Sequence, residues 1–142
     1  MILLDANVLV RMADRDSPSY ALTTAAVFKL RQTDRLVVVP QSLFEFWAVA
    51  TRATTLNGLG MDTPRTARWA ARFRAMFQLL PDPPSLLDRW QALVTLHNIK
   101  GFQVHDVRYV AAMDCLGLTT LLTHNLKHFK PFNLTLIDPA QV

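Results

Sequence analysis

The sequence opens with MILLDANVLV, residues 1–10, in which an apolar run at residues 2–4 ends abruptly at Asp5. A second apolar run, which carries Asn7, begins at once. The first run is typical of a buried parallel strand, and the second predicts a short helix that ends near Ala13. The pattern therefore places a carboxylate at the C-terminal tip of a strand, where open α/β sheets bind ligands.

Outward from this stretch, strand-like apolar runs alternate with helix-like stretches to the end of the chain. Such alternation predicts a parallel sheet of four to five strands with helices on both faces, a three-layer α/β/α sandwich. Right-handed crossovers place all the strand tips, and Asp5 with them, on one edge of the sheet. We find no internal repeat or linker, so residues 1–142 are expected to form a single domain. The further strands are predicted at residues 36–39, 79–80, 119–122 and 134–137.

Turn and capping residues predict where the helices begin. Ser17 is expected to cap the second helix and Thr63 the fourth, because each is followed by a proline. Asp106 is expected to open the sixth helix. The third helix, from Ser42 to about residue 54, contains SLFEFWAVA. This segment is apolar almost all round and is therefore expected to lie in the core.

Composition and charge restrict the class of protein. A hydrophobic content of 51% with only 18% charged residues excludes a disordered chain, and no apolar stretch reaches the ~18 residues of a membrane span. We see no signal peptide, and the single Cys115 cannot form an internal disulfide, so a cytoplasmic protein is expected. Fifteen Lys and Arg residues against eleven acids give a net charge of +4, which is compatible with a nucleic-acid partner.

The acidic residues are the main candidates for a functional site. Ten of the eleven are Asp, and Glu45 is the single Glu. A Glu inside an apolar helix is rarely buried without a partner. Two interpretations of Glu45 follow: it forms a salt bridge with Arg11 or Arg52, or its carboxylate faces a bound cation. Asp5 and Asp106 each begin a helix, so each is a helix cap, a ligand-binding residue, or both.

Strand ends bring these acids together. Asp5 follows the first strand, Glu45 lies one helical turn beyond the second, and Asp106 opens the helix before the fourth. The residues THN follow that fourth strand and add Asn125 to the same edge. Carboxylates that lie this close together would raise one another's pKa values unless a cation neutralised their charges. Oxygen ligands without cysteine favour Mg²⁺ or Mn²⁺ over Zn²⁺.

Four segments together resemble the PIN-domain family: DANVLV, EFWAVATR, HDVRYVAAM and TTLLTHNLKHF. They are most similar to the VapC-like toxin ribonucleases of type II toxin–antitoxin systems, and the resemblance runs from end to end of the chain. It implies a PIN-like fold and a metal-dependent endoribonuclease that cleaves RNA. By this resemblance Asp5, Glu45 and Asp106 form a catalytic acidic triad, with Asp5 and Asp106 as metal ligands. The resemblance also implies a homodimer and an antitoxin partner that blocks the site.

Asn125 departs from many members of that family, which carry a fourth acid at its place. An amide can coordinate a metal through its carbonyl oxygen or hold a water, but it brings no charge. We therefore include Asn125 in the catalytic set and expect one tightly held metal ion. A second ion is expected only when the phosphate of the substrate arrives.

Arginines are the candidates for contacts with RNA phosphates. Arg11 lies on the predicted first helix, six residues after Asp5. It is interpreted as a phosphate contact near the site or as a partner for Glu45. Arg65, Arg68 and Arg72 form a stripe on the fourth helix. The stripe is either a solvated face or, if it flanks the acidic edge, a nucleic-acid-binding surface.

Other classes of protein fit the sequence less well. An aspartyl phosphatase needs a second Asp two residues after the first, where this chain has Asn7, and a dinucleotide-binding domain needs a glycine-rich turn that is absent. The spacing His124-x₃-His128 lacks a nearby third ligand for zinc. The alternative that stays open is a non-catalytic RNA-binding or scaffold PIN domain, for which Asn125 leaves room.

Overall fold

A five-stranded parallel sheet forms the centre of the protein, whose computed structural model describes all residues 1–142. The strands are β1 (Ile2–Leu4), β2 (Leu36–Val38), β3 (Gln78–Leu79), β4 (Thr120–Leu122) and β5 (Thr135–Ile137). They run in the order β3-β2-β1-β4-β5, and every neighbouring pair is parallel. The predicted parallel sheet is confirmed, and each predicted strand boundary is correct to within one residue.

The central strand β1 explains why the sequence begins with an uninterrupted apolar run. Ile2 and Leu4 point into one apolar cluster, and Leu3 points into another. Alternate side chains of a strand face opposite sides of the sheet, so the two clusters are the cores on its two faces. A strand that is covered on both faces of the sheet has no polar side. Because each face carries its own core, the predicted three-layer α/β/α arrangement is confirmed.

Seven α-helices surround the sheet, and none of the helices has the length and apolar character that crossing a membrane requires. Thr54–Leu56 and Pro139–Gln141 form short 3₁₀ turns. The α-helices are α1 (Ala6–Ala13), α2 (Tyr20–Leu30), α3 (Pro40–Thr51), α4 (Thr63–Met76), α5 (Leu86–Leu96), α6 (Gln103–Leu116) and α7 (Leu126–Phe129).

Four predicted helix starts are wrong, and the first of them is α3, which begins at Pro40, two residues before the predicted Ser42. Ser17 lies in the turn before α2, where its Oγ accepts a hydrogen bond from the N–H of Ser19 at 3.2 Å. Asp62 caps α4 in place of Thr63, because its carboxylate accepts a bond from the N–H of Arg65 at 2.8 Å. Helix α6 begins at residue 103, so Asp106 lies inside its first turn and makes no capping hydrogen bond. Its negative charge there still favours the helix N-terminus.

The expectation that α3 lies wholly in the core is also wrong. Phe46 and Ala50 are completely buried, but Phe44 is 65% exposed and Trp47 is 36% exposed. The helix packs against α1 and α4, so only one side of it is covered. Helix α3 therefore presents aromatic side chains to solvent.

Candidate active site

Asp5 joins the central strand to α1 and has almost no exposed surface, with 6% remaining. Its carboxylate caps α1 through a long contact with the N–H of Asn7, at 3.5 Å. Two stronger hydrogen bonds reach Asp5 Oδ2, one from Asn7 Nδ2 at 2.8 Å and one from the Thr123 hydroxyl at 2.7 Å. Asp5 is thus a helix cap, as its sequence position predicts, while Oδ1 keeps only the long contact with Asn7.

Burial raises the pKa of Asp5 to about 6, from an ordinary value of 3.8. The hydrogen bond from Thr123 opposes this rise, and the negative charges of Glu45 and Asp106 add to it. The carboxylates are therefore close enough to repel one another, as the strand-end argument predicts. No cationic side chain forms a salt bridge with Asp5.

Glu45 is held by neutral hydrogen-bond donors. Gln41 Nε2 donates to Glu45 Oε1 at 2.8 Å, and the hydroxyl of Tyr109 donates to Glu45 Oε2 at 3.2 Å. The salt bridge to Arg11 or Arg52 that the sequence left open does not form. Glu45 thus lines the same cleft as Asp5 without a salt bridge to a cationic side chain.

Tyr109 is a component of the site that the sequence argument missed. Its side chain is buried, and its hydroxyl accepts a hydrogen bond from the N–H of Ala6 at 3.2 Å while donating to Glu45. Burial, and then the charges of Asp5 and Glu45, raise the pKa of Tyr109 well above its usual value, so it stays a donor. The signal was present, since Tyr109 lies three residues beyond Asp106 on the same helical face.

Gln41 is a second missed residue, and it connects α3 to α6. One amide nitrogen serves both Glu45 and the backbone carbonyl of His105, the latter at 2.7 Å. Gln41 Oε1 is buried and has no hydrogen-bond partner. The side chain thus fixes the position of Glu45 relative to the start of α6.

Asp106 lies on α6 and contacts His128, whose Nδ1 is 3.0 Å from Asp106 Oδ2. Partial burial raises the pKa of Asp106, and the neighbouring imidazoles of His128 and His105 lower it. His124 instead contacts Thr23, with 3.0 Å between its Nε2 and the hydroxyl oxygen. The two histidines that suggested a zinc spacing therefore have different partners.

A polar network ties the end of β4 to β1. The Thr123 hydroxyl accepts bonds from Asn7 Nδ2 at 3.1 Å and from the N–H of Asn125 at 3.0 Å, while donating to Asp5. Asn7 Oδ1 accepts from the N–H of His124 at 3.2 Å. Asn7, which the sequence argument used only to exclude a phosphatase, is a structural link between the two strand ends. The side chain of Asn125 is exposed above this network.

The predicted catalytic residues line one cleft of about 600 Å³ at the C-terminal edge of the sheet. Asp5, Glu45, Asp106 and Asn125 all contribute to its wall, together with Arg11 and Arg52. The arginine stripe does not. It lines a separate concavity of about 260 Å³, formed by Arg15, Arg65, Arg68, Trp69 and Arg72.

Solved structures show which fold this is. A chain of VapBC2 from Rickettsia felis, bound to a DNA fragment from their promoter, matches with a TM-score of 0.71 at 17% identity, over 96% of this chain and 98% of that chain. FitAcB from Neisseria gonorrhoeae matches with a TM-score of 0.71 at 16% identity, over 100% of each chain. The chain has a PIN-like fold. The predicted resemblance to VapC-like PIN domains is confirmed at the level of the fold.

A third solved structure with this fold is a toxin whose target is named. Mycobacterium tuberculosis VapC20, described as a sarcin-ricin loop cleaving toxin, matches this PIN-like chain with a TM-score of 0.64 at 12% identity, over 85% of this chain and 87% of that chain. No protein-family model and no curated protein sequence matches the chain. At these identities the likeness establishes the fold alone, and any activity depends on the residues of the cleft.

Proposed function

We propose that this protein is a metal-dependent endoribonuclease and the toxin of a toxin–antitoxin pair. The observation that carries the proposal is the convergence of Asp5, Glu45 and Asp106 on one cleft that also contains two arginines. Carboxylates and guanidinium groups together suit a divalent cation bound beside a phosphodiester. The PIN-like fold, shared with a toxin described as cleaving the sarcin-ricin loop, supports RNA as the substrate.

The donor set of the cleft fits a hard divalent cation. Asp5, Glu45, Asp106 and Asn125 offer only oxygen atoms as ligands, which suits Mg²⁺ or Mn²⁺. Neither Asp5 nor Glu45 forms a salt bridge with a cationic side chain, and this electrostatic condition favours binding of a metal ion. No three acidic, histidine or cysteine side chains lie close enough to enclose an ion on their own. Mg²⁺ needs no such cage, since it retains several waters and uses one or two carboxylates.

In the proposed mechanism, Asp5 and Asp106 would hold the metal ion, which would offset the negative charge on the phosphoryl oxygens while the bond from phosphorus to the leaving oxygen breaks. Glu45 accepts the proton of the attacking water, and its orientation is fixed by Tyr109 and Gln41. The Asn125 side chain lies at the cleft wall as a neutral hydrogen-bonding group. Hydrolysis forms one new bond from water oxygen to phosphorus and releases a ribose hydroxyl.

Arg11 and Arg52 are the proposed phosphate contacts within the cleft. Both line it, and neither forms a salt bridge with a carboxylate of the protein. A guanidinium group without a carboxylate partner can bind phosphate oxygens in a bidentate manner, and Arg52 keeps one hydrogen bond to the carbonyl of Asn57 at 3.2 Å. The separate stripe of Arg65, Arg68 and Arg72 is assigned a supporting role, attracting the RNA backbone at a distance from the reacting phosphate.

The proposed partners are an antitoxin and a second copy of this chain. The structures with the same fold include a toxin-antitoxin complex from Klebsiella pneumoniae, matched over 98% of each chain with a TM-score of 0.65 at 17% identity. The exposed aromatic side chains of α3, Phe44 and Trp47, give this chain an apolar surface for such contacts. A toxin that acts on cellular RNA is proposed to work in the cytoplasm.

A non-catalytic RNA-binding domain is the second candidate. The neutral side chain of Asn125 in the cleft wall favours it. The two functions make different predictions for purified protein incubated with a single-stranded RNA and Mn²⁺. The nuclease releases shorter RNAs that carry a new phosphomonoester end, and it stops when EDTA is added. The binding domain retards the RNA in a gel but leaves its length unchanged, with or without Mn²⁺.

A further inference from the structure

A second concavity adjoins the cleft at Asp106 and Asn125. Its volume is about 520 Å³, and its other lining residues are Phe102, Gln103, Lys127 and His128. Asp106 and Asn125 are the residues shared by the two depressions. A strand of nucleic acid with its reacting phosphate at the carboxylates therefore has room for a neighbouring nucleotide beside Asp106.

Phe102 makes this concavity unusual. It is 91% exposed, the highest value among the large apolar side chains, although it lies only four residues before Asp106. The backbone is left-handed at Gly101, with φ of 67°, and this turn presents Phe102 at the start of α6. The ring of His105 stands near, with 6.5 Å between ring centroids. An aromatic ring left in water at the border of a charged cleft is available to stack against a planar ligand.

The polar residues of the concavity complete the chemistry of a nucleotide site. Lys127 forms no salt bridge and is exposed, so its ammonium group is available for a phosphate. Gln103 brings an amide that donates and accepts hydrogen bonds, which suits the edge of a base. An aromatic face, an amide and a cation are the groups that proteins use to bind the base and phosphate of unpaired strands.

We propose that this concavity, formed by Phe102, Gln103, Lys127 and His128, is a nucleotide subsite in which Phe102 stacks against one base of the RNA. The inference rests on the proposed ribonuclease function and adds to it a residue that binds one base of the substrate. One base next to the scissile phosphate stacks on Phe102, and the adjoining phosphate contacts Lys127. A base inside a duplex is stacked and paired on its neighbours, so only an unpaired nucleotide fills the subsite.

The test measures binding of single-stranded RNA in EDTA, so that it does not depend on cleavage. Fluorescence anisotropy is recorded with a labelled oligonucleotide and with oligonucleotides that lack one base at successive positions. We expect Phe102→Ala to weaken binding about tenfold, within the range measured for base–aromatic stacking. We also expect one abasic position to weaken binding to the wild type by a similar factor. That same abasic oligonucleotide should show no further loss with Phe102→Ala.

Phe28→Ala is the matched control, because Phe28 is an aromatic side chain that is 49% exposed on α2 and lines neither depression. It should bind RNA like the wild type. The proposal would be overturned if Phe102→Ala bound RNA as tightly as the wild type. It would also be overturned if the missing base still weakened binding to Phe102→Ala, or if the wild type bound no RNA. If Phe102 governs binding but Mn²⁺ produces no cleavage, the subsite stands and the hydrolytic function fails.

Discussion

The hydroxyl of Tyr109 donates a hydrogen bond to Glu45 at 3.2 Å and accepts one from the backbone N–H of Ala6, also at 3.2 Å. One buried phenol on α6 therefore links α1 to α3. On α3 it contacts the carboxylate that we assign as the proton acceptor. The raised pKa of Tyr109 keeps it protonated at neutral pH. Glu45 is thus oriented by a donor that stays neutral in the metal-free protein.

Replacement of Tyr109 by Phe tests this orientation. The change removes the donor to Glu45 and leaves the buried N–H of Ala6 without an acceptor, which costs about 1–3 kcal/mol of the free energy of unfolding. We expect a lower melting temperature and a kcat for RNA cleavage reduced about tenfold, at little change in KM. Tyr20→Phe on α2 is the control, and thermal unfolding with steady-state kinetics measures both effects. A variant with the kinetics of the wild type would show that Tyr109 is structural only.

The raised pKa of Asp5 predicts how the stability of the metal-free protein depends on pH. Between pH 3.8 and about 6 the folded state holds a proton that the unfolded state has lost. The free energy of unfolding therefore falls as pH rises through this window, by on the order of 3 kcal/mol, at about 1.4 kcal/mol per pKa unit. Urea unfolding in EDTA at pH 4.5 and 7.5 measures this change. The free energy of unfolding of the wild type should fall between these pH values, relative to that of Asp5→Asn. A constant difference between the two proteins at both pH values would contradict the burial of this charge.

Asn125 predicts a single metal site in the free protein, because its amide brings no fourth negative charge. Adding a carboxylate by Asn125→Asp should tighten Mn²⁺ binding at least about tenfold, because another negative charge then faces the ion. Asn57→Asp is the matched control, since Asn57 lines the same cleft but contacts Arg52 through its backbone carbonyl. Isothermal titration calorimetry compares the three proteins. Two tight sites in the wild type, or equal gains in both variants, would be inconsistent with the assignment.

The arginines are expected to divide into two groups. Arg11→Ala should lower kcat/KM for RNA about tenfold, because it removes a phosphate contact inside the cleft. Arg68→Ala, outside the cleft, should weaken RNA binding less and leave kcat unchanged, with a smaller dependence of affinity on salt. Kinetics at two salt concentrations distinguish the groups. If Arg68→Ala lowers kcat as much as Arg11→Ala, the separation of the two surfaces has no functional meaning.

Much of the fold follows from the sequence because strands buried on both faces are long apolar runs with sharp ends. The same rule placed Asp5 at a strand tip and, with right-handed crossovers, brought Glu45 and Asp106 to one cleft. Capping was less predictable. Asp62 and Thr63 are both acceptable caps, and only the path of the chain selects Asp62.

The parts of the site that escaped prediction depend on contacts between distant segments. Tyr109 and Gln41 look like ordinary helix residues, and their roles arise because α3 and α6 pack beside the tip of β1. The exposure of Phe44, Trp47 and Phe102 was equally hidden. Apolar composition predicts that a residue can be buried, but the neighbouring helices decide whether it is.

The most direct test of the central claim is Mn²⁺-dependent cleavage of single-stranded RNA by the wild type and by Asp5→Asn. The amide has the size of the carboxylate and can still accept the bonds from Asn7 and Thr123, so the variant should fold and melt at or above the wild-type temperature at pH 7.5. We predict that the wild type cleaves with Mn²⁺ or Mg²⁺ and that cleavage by Asp5→Asn falls at least about a thousandfold. Cleavage by Asp5→Asn at the wild-type rate, or by the wild type in EDTA, would contradict the account.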